Sequence, residues 1–158
     1  MATISFTKID LPYGWLGNMA PYRITHEEKL WLTAEALFQS MRFADPDIQE
    51  LIRKEKSPMG AKMRARAHRD QIIIKPMSDQ DVQNMRTCLD LKFRQHEELK
   101  KALIKTAPHI IIEDIGSRNG ERHKFWGAKR TFNGEWEGTN MMGQLLMELR
   151  SKLIAEKA

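Results

Sequence analysis

Between residues 33 and 81 four polar residues stand where helices begin, and together they commit this stretch to helix. Thr33 precedes an apolar-periodic run from Ala34 to Phe43, with Leu37 and Phe38 facing inward. Asp45-Pro46 and Ser57-Pro58 each place a capping side chain before a proline suited to the first helical turn. Ser78, with Asp81 three residues on, opens a longer helix through Phe93. A chain that starts four helices in so short a span has little room there for sheet.

The flanks are mixed. Ile4-Ser5-Phe6 reads as a short strand, and Asp10 to Pro21 as a loop punctuated by Pro12, Gly14, Gly17 and Pro21. Tyr22-Arg23-Ile24 and Leu30-Trp31-Leu32 bracket the polar run His26 to Lys29, a β-hairpin pattern. After a short helix from Glu97 to Lys105, the β-branched run His109 to Glu113 reads as a buried strand. Asp114 to Gly138 reads as a long irregular segment, of a kind often functional. Asn140 to Ile154 closes the pattern as an amphipathic helix, with Leu145, Leu146, Leu149 and Leu153 at core spacing. Residues Lys152 to Ala158 are expected to fray. The expected fold class is therefore α+β: a compact, mostly helical single domain with a small β-sheet, spanning residues 1–158.

The length of 158 residues suits one domain, and 41% hydrophobic with 30% charged residues is an ordinary globular balance. Cys88 is the single cysteine, which excludes an internal disulfide and fits a reducing compartment. Its place between Met85 and Leu91 suits a buried thiol better than a nucleophile. No run approaches the roughly 18 apolar residues of a membrane span, so a cytoplasmic protein is expected. The five histidines form no metal-ligand pattern, and neither a Walker loop nor GxGxxG occurs, so no metal and no cofactor are expected. The net charge of +5 suits an anionic partner.

Four constellations carry chemistry. Glu35 opens a helix, with Gln39 one turn later on the same face. A first-turn carboxylate serves either the helix dipole or catalysis. Gly138-Thr139-Asn140-Met141-Met142-Gly143 frames a helix start. It suits either an anion cradle or a capped helix with Gly143 packed tightly. Phe125-Trp126-Gly127 offers an aromatic that either stacks on a base or lids the core. Arg53 to Lys75 holds eight basic residues against Glu55 and Asp70, a density that either follows a phosphate backbone or forms a solvated face.

In this order, the segments resemble the NADAR superfamily along nearly the whole chain, and its YbiA-like N-glycosidases in particular. The resemblance rests on Leu16-Gly17-Asn18-Met19, the Glu35 helix with Gln39, and Ser57-Pro58-Met59 with Ala61 to Arg66. It continues through Lys92-Phe93-Arg94-Gln95-His96, Leu103 to Glu113, Trp126-Gly127, and Gly138-x-Asn140-x-x-Gly143 followed by Leu145-Leu146-Met147 and Arg150. The Lys92-Phe93 pair is read as core and surface of its helix. The chain departs from the family pattern at four places. Ala36 stands where histidine usually follows the glutamate, and Arg42 stands for a lysine. Met77 falls at a tryptophan position and His123 near an aspartate.

Members of the family cleave ribosyl–amine bonds, which implies a hydrolase here. The resemblance implies Glu35 as the catalytic carboxylate, with Asn18, Gln39, Arg42, Trp126, Gly127, Gly138, Asn140 and Gly143 around the substrate; Met77 and His123 are further candidates. Arg42 would clamp a phosphate, since an arginine stays protonated and cannot form a Schiff base. The implied substrate is ADP-ribosylated guanine in nucleic acid or as a nucleotide. The alternatives are a ribosylamino-pyrimidine of riboflavin synthesis, or ADP-ribose held by a module without catalysis.

Overall fold

Each expected helix cap is made by the side chain named for it. In the computed structural model, which describes residues 2–157, Thr33 accepts from Ala36 N, Asp45 from Asp47 N, Ser57 from Gly60 N and Ser78 from Asp81 N. These bonds satisfy amides that a helix leaves open at its start. The described residues fall into two compact units, one of residues 18–96 and one joining residues 1–17 to 97–158.

The 18–96 unit holds a hairpin and four helices. Strands β2 (Ile24–His26) and β3 (Lys29–Trp31) pair antiparallel across Glu27 and Glu28. Both turn residues have positive φ, 50° and 67°, the left-handed conformations of a two-residue hairpin turn. Helix α1 (Ala34–Ser40) is buried at every position, because α2 (Pro46–Arg53), α3 (Pro58–Ala67), α4 (Asp79–Gln95) and β3 all pack against it. It ends before Phe43, earlier than its pattern suggests; Phe43 bridges to Ile72 instead. The small Ala61 and Ala65 form the buried face of α3. The last turn of α4 fastens the hairpin: Gln95 donates to Thr25 O (2.7 Å) and accepts from Thr25 N (2.8 Å), as a neighbouring strand would. His96 Nε2 lies 2.7 Å from Arg23 O.

The other unit is built from both ends of the chain. Strand β1 (Thr3–Phe6) pairs in parallel with β4 (Ile110–Glu113), Thr3 opposite Ile110 and Phe6 opposite Glu113. Helix α7 (Met141–Lys157) covers β4 and packs on α5 (Glu97–Lys105), burying Leu145, Leu146, Leu149 and Leu153. Arg150, on the same helix, donates to Thr106 Oγ1 and His109 O.

Helices and short two-stranded sheets make the chain α+β, with three separate pairs in place of one small sheet. Two further expectations need correction. The segment after Asp114 is not irregular throughout: it holds α6 (Glu121–Trp126) and the hairpin β5 (Lys129–Arg130) with β6 (Trp136–Glu137). The C-terminal residues do not fray, because α7 runs on to Lys157; Ala158 lies outside the described residues.

Candidate active site

The buried polar groups of the 18–96 unit gather where α1 meets α4. Glu35 and Gln39 are 9% and 8% exposed, and Gln39 Nε2 donates to Glu35 Oε2 at 2.7 Å. The spacing of four along a helix makes that bond possible. Glu35 N donates to Asn18 O (3.1 Å), which ties the loop before the hairpin to the first turn of α1. The Asn18 amide is itself buried and donates to Met85 Sδ at 3.0 Å. Its Oδ1 has no hydrogen-bond partner among the described residues. Asn18 and Glu35 are thus joined through their backbones and Glu35 and Gln39 through their side chains, and all three are buried.

Helix α4 turns a polar stripe inward. Asp81, Met85, Cys88 and Lys92 recur every three or four residues and are all buried. Arg42 grips Asp81 with both arms, Nε to Oδ1 and Nη2 to Oδ2, each at 2.8 Å, and lies 4.7 Å above the Phe38 ring. The fork expected to clamp a phosphate therefore already holds a carboxylate. Asp81 Oδ2 also accepts from Met77 N (2.9 Å), and this bond supports Met77 at a φ of +67°. Met77, Arg42 and Asp81 form one bracket at the start of α4.

Cys88 is fully buried, with its Sγ 3.7 Å from Met41 Sδ. Burial pushes its thiol well above the ordinary range, and the charges of Glu35 and Asp81 push it the same way. A thiol so held stays protonated, which suits packing rather than attack. It also places Glu35 and Asp81 within electrostatic reach of one point on α4.

Lys92, one turn beyond Cys88, corrects the reading of Lys92-Phe93 as core and surface. No part of Lys92 is exposed, and burial lowers its ammonium to about 7. Its Nζ lies 5.5 Å from the Tyr22 ring centre and 5.2 Å from that of Phe93. Sequence reasoning passed over it because lysines at helix ends usually reach solvent. The available signal was its place four residues after an inward Cys88.

In the other unit the glycine-rich motifs join three elements. Gly127 ends α6 by donating to His123 O (2.8 Å); a Cβ on Gly127 would lie 2.5 Å from Glu113 O. Gly138 adopts a φ of +143°, and a Cβ there would lie 2.5 Å from Gly127 O. Asn140, at a φ of +54°, donates from Nδ2 to Ile111 O (2.9 Å) and accepts at Oδ1 from Glu113 N (3.0 Å). The side chain thereby serves as one more pairing position along β4. A Cβ on Gly143 would collide with Ile111 O and the Asn140 amide. The packing alternative, a helix start pressed against a neighbour, accounts for all these contacts. Trp126 is half-buried and meets Phe125 edge-on, 5.0 Å between ring centres. His123 is also half-buried, on α6.

Among the described residues no cluster of three His, Cys, Asp or Glu side chains could hold a metal ion, and no helix is long and apolar enough to cross a membrane.

Comparison with known proteins gives consistent results. The model of the NADAR domain matches residues 5–154. N-glycosidase YbiA of Escherichia coli strain K12 is 36% identical over 154 residues, covering 98% of this chain and 90% of its own. N-glycosidase Npun_R5314 of Nostoc punctiforme is 29% identical, covering 96% and 92%. The chloroplastic riboflavin biosynthesis protein PYRR of Zea mays is 27% identical across 96% of this chain, which corresponds to 25% of that larger protein. The NMR structure of E. coli YbiA superimposes with a TM-score of 0.80 over 99% of this chain and 87% of its own.

Proposed function

The chain belongs to the NADAR family, and from that premise we propose that it is an N-glycosidase that hydrolyses the bond between ribose and an exocyclic amine. The preferred substrate is ADP-ribosylated guanine, in DNA or as a nucleotide. The two units act as one NADAR domain over residues 1–158, and the protein works in the cytoplasm without a cofactor. The observation that carries the reading is the buried carboxylate of Glu35, oriented by Gln39 at 2.7 Å. N-glycosidase relatives cover nine-tenths of the chain or more, which supports the same class.

The chemistry asks for little more than this. As the C1′–N bond breaks, positive charge grows on the sugar, the departing nitrogen takes a proton, and water adds to C1′. A buried carboxylate stabilises the charge or takes the proton from water. A second route opens the sugar ring. The amine of Lys92 adds to C1′, the base amine leaves with its proton, and water releases the sugar from the imine. An amine lowered to about 7 is available in its neutral form for this role. Within the 18–96 unit Asn18 and Gln39 hold the sugar and Arg42 sets the bracket with Asp81; in the other unit Trp126, Gly127, Gly138, Asn140 and Gly143 are the proposed substrate-binding residues. Met77 in the first unit and His123 in the second are further candidates.

The relationship to PYRR favours a second reading, in which a ribosylamino-pyrimidine is the substrate. Mass spectrometry of the protein with guanine-ADP-ribosylated oligonucleotide, and separately with ribosylamino-pyrimidine phosphates, decides between them. Release of ADP-ribose with restored guanine is the expected result. Cleavage confined to the pyrimidines would select the second reading. Retention of ADP-ribose without cleavage of either would leave a binding module. Borohydride reduction during turnover tests the imine route by a mass increase on Lys92.

A further inference from the structure

The charge of this chain is concentrated in one place. Residues 53–75 contain eight of the 26 lysines and arginines and two of the 21 acids. The remaining 135 residues hold 18 cations and 19 acids, so they are almost neutral. Part of the basic segment is already neutralised: Arg53 pairs with Glu50 at 2.7 Å and Arg64 with Glu55 at 3.3 Å. Lys62, Arg66 and Arg69 form no ion pair among the described residues.

Geometry groups those three. Ala61 and Ala65 are the buried side of α3; Met59, Met63 and Arg66 are exposed on the far side, and half-buried Lys62 flanks them, at spacings of three and four. Arg69 follows the helix and folds back, donating from Nη1 to Arg66 O at 3.1 Å. The result is a stripe of three cations interleaved with two methionines that are 56% and 58% exposed. The two methionines place apolar surface directly beside the cations. Flexible, polarisable thioethers beside cations suit a ligand that presents apolar ring faces and phosphates together. A duplex offers mainly the phosphates.

We propose that Met59, Lys62, Met63, Arg66 and Arg69 form a binding surface for single-stranded DNA, by which the protein engages polymer in preference to free nucleotide. As a statement about substrate class it rests on the N-glycosidase reading; as a statement about binding it can be tested without turnover.

The test is fluorescence anisotropy of the full chain with a labelled, unmodified single-stranded DNA oligonucleotide across a salt series. The expected loss in the triple variant K62Q/R66Q/R69Q is about 2 in the slope of log affinity against log salt, because each phosphate contact on a single strand contributes about 0.7. The matched variant K100Q/K101Q/K105Q, which removes the same charge from α5, should keep the native slope. Equal losses in both, an unchanged slope in the first, or tighter binding of blunt duplex would overturn the proposal. Turnover separates it from the enzymatic reading. The triple variant should cleave an ADP-ribosylated guanine nucleotide at the native rate and the modified oligonucleotide more slowly. If it cleaves both at native rates, the surface is wrong and the enzyme stands. If no ADP-ribosylated substrate is cleaved while the salt slope still falls as expected, the enzymatic reading is wrong and the surface stands.

Discussion

The two units bury polar groups to different ends. In the unit built from both chain ends, half-buried and buried polar side chains complete the backbone. Asn140 pairs with β4, and Arg150 reaches a carbonyl and a threonine hydroxyl. In the 18–96 unit, buried polar side chains meet one another: Arg42 and Asp81 complete each other, and Gln39 donates to Glu35. Burying charge costs stability unless it is paired. A carboxylate buried against a side-chain amide is therefore where the proposed chemistry is to be tested, whereas a polar group that closes a backbone pair is accounted for by packing.

Four substitutions test this contrast, in falling order of effect. Glu35→Gln keeps the shape and the contact with Gln39 while removing the charge. It should cut turnover about a hundredfold or more, with a melting temperature close to native. Native turnover would remove Glu35 from the mechanism. Gly143→Ala addresses the other unit. A methyl group pressed on Ile111 O should cost about 3 kcal/mol in denaturant unfolding. Native stability with lost substrate affinity would instead favour the anion cradle over packing.

The third substitution uses pH. Lys92 is lowered in the folded state to about 7, so from that pH upward the unfolded chain binds the extra proton. Native stability therefore rises with pH through this range. Melting should climb by about 5 °C between about pH 7 and 8.5 and be nearly flat for Lys92→Met. Above about pH 9 the raised thiol of Cys88 acts in the opposite sense, because there the folded state keeps the proton longer. A native protein without this rise would place Lys92 in water. The smallest effect is expected for Gln95→Ala, about 1 kcal/mol, with faster amide exchange at Thr25 as the local sign. Unchanged exchange would mean that the hairpin holds without its tie to α4.

What was legible in the sequence was mostly local. The caps at Thr33, Asp45, Ser57 and Ser78 are bonds between residues two or three apart, so the pattern contains both partners. The contact between Glu35 and Gln39 is local in the same way. Helix α6 escaped notice because it is six residues long and begins at Gly120, without a capping side chain. Strands β5 and β6, two residues each, are defined by each other rather than by any periodicity. The grip of Arg42 on Asp81 spans 39 residues and the pairing of Asn140 with β4 up to 29, so neither partner was apparent from the other. The burial of Lys92 likewise depends on Tyr22, far back in the chain, coming to lie over it.

The pairing of β1 with β4 has a consequence for the order in which the molecule can be completed. Thr3 to Phe6 are made more than a hundred residues before their partners Ile110 to Glu113. The 18–96 unit is continuous and has all its own residues available before α5 is made. The first strand must therefore wait, with its backbone unpaired, while the middle of the chain acquires its contacts. Pulsed hydrogen exchange during refolding should record protection in α1 and α4 before β1. On that outcome β1, made before α1 and α4, is secured after them.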